Sequence, residues 1–234
     1  MHVLVTRPEP QATRTAALLA GRGHRTHTAP LASIETLDVA LPAAAVVDVI
    51  LLTSANAVPA LHPYLHLPVY AVGDATAAAA RAAGARKVIS ADGDWVRLAA
   101  VHAGPEGPPA GSRLLHLSGT VIGGDLAGVT HAAGFAYRRQ AVYTVHPAQW
   151  LAADVLDLLG EGGLDAVLFL SPLHAAIWCR LVGRAAVEVL LVGARAICLS
   201  DAVARPLRQL PWLSVEVATA PTLPALIDCL EARG

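Results

Sequence analysis

Thr53 and Ser54 close the aliphatic run Val49-Ile50-Leu51-Leu52, and a helix-compatible segment containing Asn56 follows at once. The same figure recurs at Val3-Leu4-Val5-Thr6-Arg7-Pro8 and at Val69-Tyr70-Ala71-Val72-Gly73-Asp74, with Thr76 just beyond. It appears again at Leu114-Leu115-His116-Leu117-Ser118-Gly119, Leu168-Phe169-Leu170-Ser171-Pro172 and Ile197-Cys198-Leu199-Ser200-Asp201. A helix that starts where a buried strand ends presents unpaired backbone N–H groups and the positive end of its dipole. Small hydroxyl residues add donors there, and Arg7 adds a full charge. The chemistry open to such a set is the holding of anions. Taken singly, each hydroxyl is more often a structural helix cap than a ligand. As a set at the carboxyl ends of successive strands they point to a site, and Arg7 stands out among the charges. Arg14 and Arg81 read as solvated helix faces.

The elements that must position these groups alternate between strand and helix. Strands are expected near 2–6, 24–29, 49–52, 69–72, 87–90, 113–117, 135–145, 166–170, 196–199 and 215–217. Helices are expected from Pro8 to about Ala20, over 56–61, 74–83, from an Asp94 cap to 102, and over 125–133. Further helices are expected over 149–159, 173–182, 184–192, 201–210 and 222–232, with the clearest loop at 104–109. Continuous apolar strands alternating with helices specify parallel sheets covered on both faces. Ten strands exceed one comfortable doubly wound sheet, and two extended stretches bracket a self-sufficient middle. The expectation is an α/β chain of two domains, 1–32 plus 149–234 and an inserted 40–140. Residues 33–39 and 141–148 would be hinge connectors, with a cleft between the strands' carboxyl edges.

Composition removes other classes of function. Of 234 residues, 55% are apolar and 15% charged, which excludes a disordered chain. No 18-residue stretch is free of charge and turn residues, so no spanning helix is expected, and Arg7, Glu9 and Arg14 occupy the place of a signal peptide's apolar core. A cytoplasmic location follows, with a monomer as the default. Net charge is −1 and no basic run is longer than a pair such as Arg138-Arg139, so nucleic acid is not an expected partner. Cys179, Cys198 and Cys229 lack metal or disulfide spacing. His62 and His66 have i,i+4 spacing, but Pro63 and Pro68 break the helix that would align them; no metal site is expected. Gly21-Arg22-Gly23 follows a helix, not a strand, so it is no dinucleotide fingerprint.

The blocks Val5-Thr6-Arg7-Pro8-Glu9-Pro10-Gln11-Ala12, Pro30-Leu31 with Ile34-Glu35, and Leu52-Thr53-Ser54-Ala55-Asn56-Ala57-Val58 resemble those of the uroporphyrinogen-III synthase family. So do Val72-Gly73-Asp74-Ala75-Thr76-Ala77, Val142-Tyr143, Phe169-Leu170-Ser171-Pro172, Leu199-Ser200 and Ala220-Pro221-Thr222, in the same order and across the whole chain. The stretch Leu117–Gly124 departs in lacking a basic residue, and Asp201-Ala202-Val203 departs in lacking hydroxyls.

The resemblance implies two flavodoxin-like domains joined by a two-stranded β connector. It implies an enzyme, a cyclising lyase, that closes linear hydroxymethylbilane to a macrocycle with loss of water and inversion of the terminal pyrrole, ring D. No metal or organic cofactor is implied. The substrate is a polycarboxylate, for which Arg7, Thr53, Ser54, Asn56, Gly73, Thr76, Ser118, Gly119, Ser171 and Ser200 are the candidate contacts. Tyr143 would be an ordinary strand aromatic on sequence alone. Within this family's reaction it becomes the candidate catalytic group, a phenol able to assist departure of the hydroxyl. The competing expectation is a hinged two-domain protein that binds a small molecule without catalysis.

Overall fold

The computed structural model describes residues 1–91, 93, 95–104, 107–122 and 124–232. The expected cap at Asp94, Pro105 and Glu106 of the expected loop, and Gly123 lie outside these residues. Two compact units emerge, Met1–Ser33 with His146–Gly234, and Ile34–Val145.

The first unit holds five strands: β1 (His2–Val5), β2 (Arg25–Thr28), β9 (Ala166–Phe169), β10 (Arg195–Cys198) and β11 (Ser214–Val217). Its helices are α1 (Gln11–Ala20), α5 (Ala153–Gly160), α6 (Pro172–Ala185), α7 (Asp201–Leu207) and α8 (Leu223–Glu231). The strands form a parallel sheet in the order β11-β10-β9-β1-β2. Renumbered within the unit this is 2-1-3-4-5, the flavodoxin-like order, with its topological switch point between β1 and β9.

The second unit holds β3 (Ala32–Thr36), β4 (Val49–Leu52), β5 (Pro68–Ala71), β6 (Lys87–Ser90), β7 (Arg113–Gly119) and β8 (Ala136–Pro147), with α2 (Asp74–Ala82), α3 (Trp95–Ala103) and α4 (Leu126–Ala132). β3 and β8 each run across the division between the units, β3 at its start and β8 at its end. The sheet order is β3-β8-β7-β4-β5-β6, and β8-β7-β4-β5-β6 is parallel throughout. Counted from β4, that core reads 5-4-1-2-3, so its switch point lies between β4 and β7. The two parallel sheets therefore differ in strand order. β3, from the first extended stretch, pairs with β8, from the second, at the edge of this sheet.

Burial follows the strand period of two. Ile50 and Leu52 pack with Leu115 and Leu117 on one face of the second sheet. Val49, Leu51 and Leu114 pack with Leu98 and Leu126 on the other. In the first unit Val3, Val5, Ala166 and Leu168 meet Leu226, Ile227 and Leu230 of α8. On the opposite face Phe169 meets the rings of Trp178 and Trp212 edge-on.

Several helices differ from the sequence expectation for local reasons. Residues 56–61 belong to a 3-10 helix, Ala55–Tyr64, because Pro59 and Pro63 bar the α-helical bond pattern. α1 begins at Gln11, and Glu9 caps it from outside by accepting from Thr13 N at 3.1 Å. α5 begins at Ala153, not at 149. Arg180 and Arg184 of α6 donate to the carbonyls of Ala148 and Gln149, at 2.6 and 3.4 Å, groups that an earlier helix would have used. The two helices expected over 173–182 and 184–192 are one helix, α6, closed by the left-handed Ala186 at φ 54° and followed by a 3-10 turn at Glu188–Leu191. Gly183 alone does not break a helix that packs well.

Candidate functional site

In open α/β sheets a ligand crevice lies outside the strands' carboxyl ends at the switch point. In the first unit the loops after β1 and β9 flank that point. Thr6 stitches the two strands together, its buried hydroxyl donating to Leu168 O at 2.7 Å. Arg7 comes next. Its guanidinium is partly buried and donates to Thr15 Oγ1 at 3.2 Å. Among the described residues no carboxylate pairs with it, and burial alone pulls its pKa below the usual arginine value. Across the switch point Ser171 caps α6, its Oγ accepting from Leu173 N at 3.2 Å, with Pro172 at the first helical position. His174, one turn in, is buried. Desolvation first, and then the charge of Arg7, push its pKa down to about 4. The charge of Arg7 is thus felt at the first turn of α6. Ser200 lies on the same edge beyond β10, the strand next to β9, at the start of α7, where its hydroxyl makes no cap bond.

In the second unit the switch point is flanked by Thr53-Ser54 after β4 and Ser118-Gly119 at the end of β7. Ser54 caps the 3-10 helix by accepting from Asn56 N at 3.2 Å, which ties those two candidates to each other. Thr53 Oγ1 lies 2.9 Å from His116 Nε2 on the neighbouring strand, and His116 Nδ1 lies 2.7 Å from the Tyr137 hydroxyl on β8. Gly73 is the extended residue before α2, φ −161°. A Cβ there would meet Gly93 O at 3.7 Å and Gly93 N at 4.0 Å, ordinary contacts, so packing among the described residues does not demand glycine.

Two candidates depart from the expectation that their side chains face a ligand. Thr76 lies on the inner face of α2 with Ala77 and Ala80, so it serves packing. Ser118 is 0% exposed; its hydroxyl donates to Gly119 O at 3.0 Å and accepts from Arg139 Nε at 2.9 Å. Arg139 is the residue that sequence reasoning missed. From β8 its guanidinium also donates to Gly119 O and Thr120 O at 2.6 and 2.7 Å. A guanidinium from the adjacent strand thus lies against the stretch 117–124, with its Nε and Nη2 donors engaged by the Ser118 hydroxyl and two backbone carbonyls. A residue 20 positions away in sequence leaves no local signal for this.

Tyr143 sits where the pairing of β7 and β8 slips. Ser118 is opposite Ala141, but Gly119 is opposite Tyr143, which leaves Val142 as an extra residue. Such a bulge re-aims the side chains after it. Here Val142 and Tyr143, though consecutive, both enter the same apolar cluster. The ring lies against Gly119, where an added Cβ would come within 2.8 Å of Cε2 and Cζ. The residue is 8% exposed, and among the described residues nothing hydrogen-bonds its hydroxyl. Its backbone is held by Thr120 N, which donates to Tyr143 O at 2.9 Å.

A cavity of about 190 Å³ lined by Pro42, Val47, Arg113 and Tyr137 lies at the opposite, amino edge of this sheet. It is mostly apolar and holds none of the candidate groups, so topology and donor chemistry, not concavity, locate the site. Among the described residues no group of three or more His, Cys, Asp or Glu side chains is gathered, and no helix is long and apolar enough to cross a membrane.

The family model described as uroporphyrinogen-III synthase HemD matches residues 13–228. Among solved structures, uroporphyrinogen-III synthetase from Helicobacter pylori 26695 is 17% identical, with 99% of each chain covered and a TM-score of 0.65. A mutant uroporphyrinogen III synthase from the extremely thermophilic bacterium Thermus thermophilus is 17% identical, with 99% of this chain and 97% of that chain covered and a TM-score of 0.59. Identities this low establish a shared fold. No curated protein sequence matches the chain.

Proposed function

The chain belongs to the uroporphyrinogen-III synthase family, and from that premise we propose that it closes linear hydroxymethylbilane to uroporphyrinogen III, inverting ring D and releasing water. The observation that carries this reading is Arg7, a partly buried guanidinium with no carboxylate partner among the described residues, at a topological switch point beside a capped helix start. A desolvated cation without a counter-charge is stabilised by an incoming carboxylate. Thr53, Gly73 and the start of α2 offer a second set of contacts in the other unit. Each helix start contributes about 0.3–1 kcal/mol toward an anion.

The chemical step is intrinsically easy, since the linear substrate also closes on its own to the isomer without inversion. The enzyme's task is then orientation, which supplies about 7–11 kcal/mol in favourable cases. In this reading Tyr143 gives its proton to the departing hydroxyl as the pyrrole nitrogen's electrons break the exocyclic C–O bond, water leaves, and the proton released when the macrocycle closes returns to the phenolate. What supports the role is a hydroxyl with no hydrogen-bond partner among the described residues, on a ring fixed against Gly119. Ser118 acts indirectly, by holding the Gly119 carbonyl and receiving Arg139.

The reading also takes the catalyst to be a lyase working as a cytoplasmic monomer. Its domains would be 1–32 with 149–234 and 40–140, with 33–39 and 141–148 as connectors. The test is incubation of the purified protein with fresh hydroxymethylbilane and chromatographic separation of the product isomers. Isomer III above the spontaneous background is expected; background product alone refutes the reading.

A further inference from the structure

The hydrogen-bonded chain Thr53–His116–Tyr137 crosses three adjacent strands, β4, β7 and β8. His116 is the register partner of Leu51 and shares a strand face with Leu114, so an imidazole 1% exposed stands in an apolar layer. Burying it there is costly unless both ring nitrogens are satisfied. Both are, at 2.9 and 2.7 Å.

A neutral imidazole has one donor and one acceptor, so two proton orders are open to this chain. In the first, the Tyr137 hydroxyl donates to Nδ1 and the Nε2–H donates to Thr53 Oγ1. The Thr53 proton is then left for an outside acceptor. In the second, Nδ1–H donates to Tyr137 and Thr53 gives its own proton to Nε2, so the sheet edge shows an incoming group only lone pairs. A carboxylate accepts and cannot donate; the second order repels it and the first receives it.

We propose that His116 is a positioning residue for substrate binding, set by Tyr137 in the Nε2–H tautomer so that Thr53 directs its O–H toward a substrate carboxylate. The substrate's chemistry in this proposal rests on the function proposed above. The assignment of His116 rests on the geometry, since Thr53 directly follows β4 at the switch point and its only hydrogen-bond partner among the described residues is His116. A hydroxyl turned outward before binding loses less freedom when the ligand arrives. Burial, reinforced by the charge of Arg139, holds the His116 pKa at about 4, and burial raises that of Tyr137 to about 12. Both groups are therefore neutral at pH 7, as the tautomer requires.

NMR of the histidine ring nitrogens, with His116 assigned by its absence from His116→Gln, is expected to show Nε2 protonated and Nδ1 bare. A protonated Nδ1 overturns the proposal. Should His116→Gln fail to fold, the same signal is identified as the one that Tyr137→Phe moves. Kinetically, Tyr137→Phe is expected to raise KM about tenfold, one hydrogen bond's worth, with kcat changed less than about twofold. In a Thr53→Val background it is expected to add nothing. An unchanged KM, an equal loss confined to kcat, or an additive effect in the double variant overturns the role. If the unaltered chain forms no isomer III, the functional reading falls on its own account, while the ring tautomer still upholds or overturns the proton order.

Discussion

In the proposed reading Arg7 serves binding and Tyr143 the chemistry, and their surroundings make that division measurable. Arg7→Ala removes a charge-assisted contact, so KM for hydroxymethylbilane should rise about ten- to a hundredfold with a smaller change in kcat. Arg7→Lys should recover only part, since the charge returns without the planar fork. An unchanged KM in Arg7→Ala would take Arg7 out of the site. Tyr143→Phe should do the reverse, lowering turnover more than affinity, and full turnover in that variant would exclude the phenol from the chemistry. The two glycines offer a paired control. Gly119→Ala forces a Cβ to within 2.8 Å of the Tyr143 ring and should cost about 1–3 kcal/mol in denaturant unfolding, with activity falling alongside. Gly73→Ala meets nothing closer than 3.7 Å and should leave stability within about 0.5 kcal/mol. A raised KM in that stable variant would locate the substrate against α2.

At the scale of elements, each switch point carries a buried histidine whose titration reports on its sheet. His116 and His174 both have pKa values pushed to about 4 from an ordinary 6.5, chiefly by burial, with Arg139 and Arg7 acting in the same sense. The unfolded chain therefore binds more protons than the native one between those values. The contribution of these two rings to stability should be whole above about pH 6.5, fall as pH drops toward 4, and flatten below, by on the order of 3 kcal/mol per histidine. Urea midpoints at pH 7 and pH 4.5 check this, and equal midpoints would contradict the burial of both rings. The junctions that bear these histidines were partly legible in the sequence. An aliphatic run ending in Ser54 or Ser171 announces both a buried parallel strand and a capped helix, because both signals are local. The partners were not legible. Thr53 meets a histidine 63 residues away, and Arg139 reaches Gly119 from 20 residues away, distances over which no local pattern persists. The prolines at 59 and 63 were visible in the sequence, and with them the local reason that this segment departs from an α-helix.

At the scale of the whole molecule the question is how a chain of net charge −1 holds a polycarboxylate. The proposed answer is a small number of fixed donors at the carboxyl edges of the two sheets: helix starts, hydroxyls, and Arg7, which has no carboxylate partner among the described residues. Contacts of this kind are short-ranged and partly desolvated, so mobile ions screen them weakly. A lattice of exposed lysines and arginines would behave differently, since its attraction acts through solvent and decays within a Debye length. The measurement that separates these is the KM for hydroxymethylbilane, read from isomer III formation at low and at high salt. The fixed-donor account predicts a shallow change. A steep loss of affinity as salt is added would contradict it.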